Sequence, residues 1–270
     1  MILEKTIELV KQIYRYHKIV APKVTKVVIG LGYTGVEVVA YCYEPFLGVA
    51  KTLSRIIDNT NCSKIDFSGT LTERNITQLL GWSIEPPSLK KIIGIATLNA
   101  ISQHIFEIQN PYNEITEDLM SYLKINPNTR IMFIGFIEPM IKKASKITNS
   151  ITIVDDNPFI RQISNKFSIK KDIRDLNEKE LSVDVLFCTG SALINNSLEN
   201  ILTLFKKKAS YIVLIGPTAS FIPDILFDLG VDIVGGFKIM DSKNSLKVLQ
   251  EGGGMKDFKH YGRKFNFIKD

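Results

Sequence analysis

The sequence predicts an α/β protein in two parts. Residues 1–112 form an α+β part, and residues 113–270 a mostly parallel sheet with helices on both faces. Three observations carry this. Residues 24–31 and 36–43 are β-branched and aromatic, as strands are, and follow one another with no helix between them. From residue 130 onward, short apolar runs alternate with helical patterns. Those later runs are nearly continuous in Val, Ile, Leu and Phe, which is how strands covered on both faces read.

The opening MILEKTIELVKQIYRY is an amphipathic helix, with Ile2, Leu3, Ile7, Leu9, Val10, Ile13 and Tyr14 apolar. Glu4, Glu8 and the lack of a small-residue cleavage site distinguish it from a secretory signal. Next, Gly30, Gly32 and Gly35 make a G-x-G-x-x-G pattern. In a dinucleotide fingerprint such a turn opens a helix whose first N–H groups meet the pyrophosphate. Here Val36, Val38, Val39, Tyr41 and Tyr43 follow and favour a strand. The glycines therefore predict a hairpin, with Tyr33 and Thr34 presented on its turn toward a cleft. A short segment through Leu47-Gly48-Val49 comes next. Thr70 and Glu73 fit a capping box for one helix, and Pro87 opens another that runs to about Ile105. Asn110-Pro111-Tyr112-Asn113 is the linker, followed by the helix EITEDLMSYL.

In the second part the strands are RIMFIGF, SITIVDD, DVLFCTG, YIVLIGP and, last, VDIVGGFKIMD. The helices are PMIKKASKI, SLENILTLFKKK and FIPDILFDLG, the last stopped by Gly230. This alternation is Rossmann-like. In KDFKHYGRKF, basic residues between aromatics could contact single-stranded nucleic acid, but a solvated edge strand is the reading adopted.

In open parallel sheets, ligands sit outside the carboxyl ends of the strands. The segments there are Gly135 to Pro139, Asp155 to Pro158, Thr189-Gly190-Ser191 with Asn195 to Ser197, and Gly216-Pro217-Thr218. Asp155 stands about twenty residues after Gly135, where an acid can hold ribose hydroxyls, yet Asp-Asn-Pro is equally a turn signal. Asn196 with Glu199 fits a helix cap. Thr189, Ser191 and Thr218 are small hydroxyl residues beside glycine at strand ends, suited to an anion or carbonyl group. Near the end, Gly252, Gly253 and Gly254 form either a loose linker or a point of close backbone approach.

Composition excludes several classes. Hydrophobic residues are 45% and charged residues 23%, ordinary for a globular chain, and no apolar run is long enough for a membrane helix. Cys42, Cys62 and Cys188 are too few and too scattered for a disulfide framework, which makes a cytoplasmic home the default. Cys42 and Cys188 lie in apolar runs and read as core residues. The net charge of +6 favours an anionic ligand without demanding nucleic acid. His17, His104 and His260 have no metal-ligand spacing, and His104 reads as a packed core or interface residue. Asp155, Asp241 or Glu251 could serve a harder cation, though no spacing argues for one. No Ser or Cys has a recognisable His partner, so no nucleophile is assigned.

The stretches GLGYTGVEV, LGVAKTLS, KIIGIATLNAIS, CTGSALINNSLENIL, LIGPTASFIPDILFDLGVDIVGGFKIMD and EGGG resemble the "putative heavy-metal chelation" family of bacteria and archaea, whose function is unknown. The resemblance spans nearly the whole chain. It implies an N-terminal half shaped like the enolase N-terminal domain, joined to the Rossmann-like half, with a site in the cleft between them. It also implies a role in handling metal ions or a metal-chelating molecule. Matching positions nominate Tyr33, Thr34, Gly35, Thr97, Asn99, Thr189, Gly190, Ser191, Asn195, Gly216, Pro217, Thr218, Gly236, Asp241 and the glycines after Glu251, including Gly252 and Gly253. No cofactor is legible beyond a metal ion or metal chelate. The expected partner is a small anionic or metal-chelating molecule, with neither membrane nor nucleic acid and with a homodimer left open. The rival reading is an enzyme using S-adenosylmethionine or NAD, with Asp155 on the ribose.

Overall fold

A computed structural model describes residues 1–57, 62–163 and 167–269. Helix α1 (Ile2–Tyr16) buries Ile2, Leu3, Ile7, Val10, Ile13 and Tyr14, the three-and-four spacing read from the sequence. Strands β1 (Lys23–Ile29), β2 (Tyr33–Val39) and β3 (Phe46–Lys51) form an antiparallel sheet in that order. The glycine motif is a hairpin, but its turn is residues 30–32. Tyr33 and Thr34 lie in β2 instead of on a turn, paired with Lys51 and Ala50 of β3. Cys42 is exposed in the turn after β2, outside the core, whereas Cys188 is buried.

Helices α2 (Ile76–Trp82) and α3 (Leu89–Ile108) follow. The expected box at Thr70 and Glu73 forms only a short 3-10 turn; the working cap is Asn75 with Gln78. Helix α3 is buried on every side, from Lys91 to Phe106 without interruption. A helix apolar all round must be enclosed, and α3 lies in the middle of the molecule.

The large sheet contains β4 (Asn113–Glu114), β5 (Ile131–Ile134), β6 (Ile151–Val154), β7 (Ile169–Lys170), β8 (Val183–Thr189), β9 (Ala209–Ile215), β10 (Ile233–Ile239) and β11 (Gly262–Ile268). Its order is β4-β11-β10-β9-β8-β5-β6-β7. Strands β5 to β10 are parallel to one another, and β11 runs antiparallel to β10 and β4. From β7 to β10 the parallel strands follow the 3-2-1-4-5-6 order of doubly wound sheets, with the reversal between β5 and β8. The final strand is β11 instead of β10, and it lies inside the sheet, with β4 at the edge.

Helices cover both faces. Met132, Ile134, Leu186, Cys188 and Leu214 face α3, α8 (Leu198–Phe205) and α9 (Asp224–Asp228), whereas Phe133, Val185, Phe187 and Val213 face α4 (Leu119–Tyr122) and α5 (Glu138–Ala144). The helix expected over 114–123 shrinks to α4, because Asn113 and Glu114 pair with β11 and Asp118 caps the remaining turn. The remaining helices are α6 (Pro158–Ile163), α7 (Glu178–Leu181), α10 (Ser242–Gln250) and α11 (Met255–Phe258). Asn196 and Glu199 do not form the expected cap: Ser197 occupies the N-cap of α8, and Glu199 accepts from the Ile2 amide at 2.8 Å.

His104 is a core residue. Its Nδ1 lies 2.6 Å from the Tyr14 hydroxyl, the Tyr43 and Phe46 rings enclose it, and Nε2 has no partner. Burial pushes the imidazole below its ordinary 6.5, against a smaller opposing effect of Glu107. The native state therefore takes up the proton less readily than the unfolded chain, and stability falls as pH drops below about 6.5. His104→Gln is expected to remove that portion of the pH dependence. Urea midpoints measured from about pH 7.5 down to about pH 5 check it.

Candidate site at the carboxyl edge of the large sheet

All the parallel strands deliver their carboxyl ends to one edge, and the small sheet docks there. At the reversal point, Gly135 follows β5 with φ +91°, and a Cβ on it would lie 2.5 Å from Thr189 Cγ2. Only glycine fits both the left-handed backbone and the contact. Thr189 ends β8 and its Oγ1 accepts from the Ser191 amide at 3.4 Å. Gly190 abuts Ala219 and Thr218, which follow Gly216 and Pro217 at the end of β9.

Thr218 joins the two sheets. Its Oγ1 accepts from the Lys51 backbone N–H at 3.0 Å, at the end of β3. Beneath, the Asn99 amide of α3 donates to the carbonyls of Val49, Pro217 and Thr218 at 2.8, 3.1 and 3.2 Å, and its buried Oδ1 is unpartnered. Thr34 and Thr52 hydroxyls, both buried, bond to each other at 2.9 Å. Tyr33 meets Phe258 edge to face at 5.2 Å, and burial pushes its hydroxyl up to about 12.

Lys51, which sequence reasoning passed over inside LGVAKTLS, is half-buried with its Nζ 4.9 Å above the Tyr33 ring. Burial lowers its pKa. Among the described residues no carboxylate pairs with it. Nothing local marks this lysine, because only the pairing of β3 with β2 and the end of β9 gives it these neighbours.

The remaining nominated residues divide by position. Asp155 is on the same edge, but its carboxylate accepts from the Phe136 and Asn157 amides at 2.7 and 2.8 Å, so it fastens the β5 and β6 turns. Asp241 is at the edge beyond β10, capping α10 through Asn244. Asn195 lies in the turn after Ser191, its N–H donating to Ser191 O. Gly35 is crowded by Leu249 and Leu47. Gly252 and Gly253 close the end of α10 and touch the hairpin tip, where Gly253 O would be 2.6 Å from a Cβ on Gly32. Gly236 packs against Phe265, and Thr97 bonds within α3. The structure thus brings together Tyr33, Thr34, Asn99, Gly190, Thr218 and the missed Lys51, with Thr189 and Ser191 adjoining.

Two open depressions of about 330 and 410 Å³ lie on the opposite edge, at the starts of β5, β6, β8 and β9, around Arg130 and Asp184. Doubly wound sheets take ligands at the carboxyl edge, the edge opposite these depressions. Among the described residues there is no group of three or more His, Cys, Asp or Glu able to hold a metal ion. A bare-metal centre does not fit the described residues. No described helix is long and apolar enough to cross a membrane.

The fold and this junction define a class: a doubly wound sheet whose carboxyl edge is met by a small antiparallel sheet. Family models give that class a membership. Residues 17–102 match DUF4213 and residues 118–268 match DUF364, both described as "Putative heavy-metal chelation". The chain belongs to this family. An uncharacterized protein of Methanocaldococcus jannaschii is 25% identical over 195 residues, 71% of each chain. A solved DUF364-family protein of unknown function from Pyrococcus horikoshii superposes over 100% of both chains with TM-score 0.78 and 21% identity. Another, from Desulfitobacterium hafniense, covers 98% of this chain and 99% of its own, with TM-score 0.70 and 17% identity. These likenesses establish the fold.

Proposed function

We propose that the protein binds a small anionic or metal-chelating molecule at the junction of the two sheets and serves in the handling of chelated metal. The observation that carries this is Lys51: a half-buried ammonium without a carboxylate partner among the described residues, lying above the Tyr33 ring on the strand whose end meets Thr218. An unpaired, partly desolvated cation at a strand-end crevice favours an anion. A chelated metal fits better than a bare ion, since the chelator supplies the metal's ligands and the protein need hold only the chelator's oxygens. The family description supports the same direction.

The strand order favours a second reading, a nucleotide-cofactor enzyme. Two features weigh against it. The Asp155 carboxylate is occupied by backbone amides, and Glu138 places negative charge in the first turn of α5, where a pyrophosphate would need positive potential. Native mass spectrometry of protein purified from its own cells, with metal analysis, tests the first reading. Thr189→Val with Ser191→Ala is expected to lose the co-purified molecule while keeping the wild-type melting temperature. Retention of that molecule rejects these assignments, and micromolar binding of S-adenosylmethionine or NAD by calorimetry moves the balance to the second.

A further inference from the structure

The segment after β3 is fastened at both ends. At one end the Lys51 amide donates to Thr218, just past β9. At the other, the Arg55 guanidinium pairs with the Asp156 carboxylate, just past β6. Between β9 and β6 stand β8 and β5, the pair at which the strand order reverses. Three strand spacings amount to roughly 14 Å, a distance that four residues and an arginine side chain can cover. The strap from Lys51 to Arg55 therefore crosses the switch point, where sheets of this order take their ligands. It carries two cations, the Lys51 ammonium above the Tyr33 ring near one anchor and the Arg55 guanidinium at the other. Lys51 is unpaired among the described residues, and Arg55 is held by a carboxylate that is 57% exposed. A surface pair of that kind contributes little, so another anion can replace it.

We infer, resting on the junction reading above, that Lys51 and Arg55 clamp a small ligand bearing two anionic groups. Asp156 occupies Arg55 until the ligand's second anionic group displaces it. The chemistry is shared by polycarboxylates, which chelate metals, and by phosphoryl compounds. Both present paired oxygens to a guanidinium and a compact charge to an ammonium.

The test is calorimetric titration of the full chain at low salt with citrate and, separately, with inorganic pyrophosphate. Lys51→Met keeps the backbone bond to Thr218 and removes the charge; with Arg55→Gln, each is expected to weaken binding about tenfold. Asp156→Asn is expected to tighten it about threefold, because it removes a competitor instead of a contact. Binding of citrate alone assigns a polycarboxylate, and binding of pyrophosphate alone a phosphoryl ligand. Unchanged affinity in either cation variant, or weaker binding by Asp156→Asn, overturns the clamp. So does a wild-type protein that binds neither probe. The junction reading is then judged separately, on the molecule that co-purifies and its loss with Thr189→Val and Ser191→Ala.

Discussion

Gly48→Ala is expected to abolish folding, whereas Gly81→Ala is expected to stabilise the protein. A Cβ on Gly48 would lie 2.1 Å from both the carbonyl oxygen of Ala96 and the amide nitrogen of Ala100. Both atoms are α3 backbone, so no side chain can move aside. The approach is this close because α3 covers the outer edge of β3. Gln103 and Asn99, one turn apart, donate their amides to Leu47 O and Val49 O at 2.7 and 2.8 Å. An edge strand's unpaired carbonyls are thus satisfied by helix side chains, and Gly48 between them leaves room for the helix. Pushing the two apart would break these bonds and open the core, a loss of about 4–5 kcal/mol or more, close to the whole stability of many domains. Gly81 lies in α2, where a Cβ would meet nothing within 4 Å. There alanine is expected to add about 0.5–1 kcal/mol through lower unfolded-state entropy. Thermal melts followed by circular dichroism check both, and a Gly48→Ala protein melting like wild type would refute the contact.

Lys91→Met is expected to destabilise by about 3 kcal/mol, although lysine is replaced by an apolar side chain of similar length in a buried helix. Lys91 is 1% exposed, and its ammonium donates to the carbonyls of Ser83 and Glu85 at 2.8 and 3.1 Å, just past the end of α2. Ser83 is the C-cap, whose carbonyl the end of the helix leaves without a partner, Glu85 lies in the loop beyond it, and a cation there also meets the negative end of the helix dipole. Methionine leaves them buried and unpaired. Urea unfolding gives the number. A midpoint shift equivalent to less than about 1 kcal/mol would mean that water reaches the carbonyls and the capping assignment is wrong.

The parallel strands were legible because each is a short, nearly unbroken apolar run, and such runs end where ligand-edge residues begin. That reasoning put Thr189, Gly190, Gly216 and Thr218 on one edge, where they are found. Errors came where tertiary contact decides. Gly35 looks like part of a turn, but it lies in mid-strand because the Leu249 and Leu47 side chains leave no room for a larger residue. The pattern in EITEDLMSYL suits a helix, yet its first residues serve better as a strand beside β11. Glu199 resembles half of a cap and instead accepts from the Met1 ammonium and the Ile2 amide, nearly two hundred residues away. Lys51 and Arg55 carry no motif of their own. They gain meaning from Thr218 and Asp156, partners more than a hundred residues distant, and no spacing rule reaches that far.

Helix α3 has a further consequence. Its Asn99 holds carbonyls of both sheets, and the hydroxyl of its Ser102 accepts from the Ile222 amide of the second half. The same apolar interior continues from α1 through α3 to β10 and β11, past residues 112 and 113 without a seam. A molecule gripped beside Thr218 would therefore brace the entire chain, and its departure would loosen both lobes together.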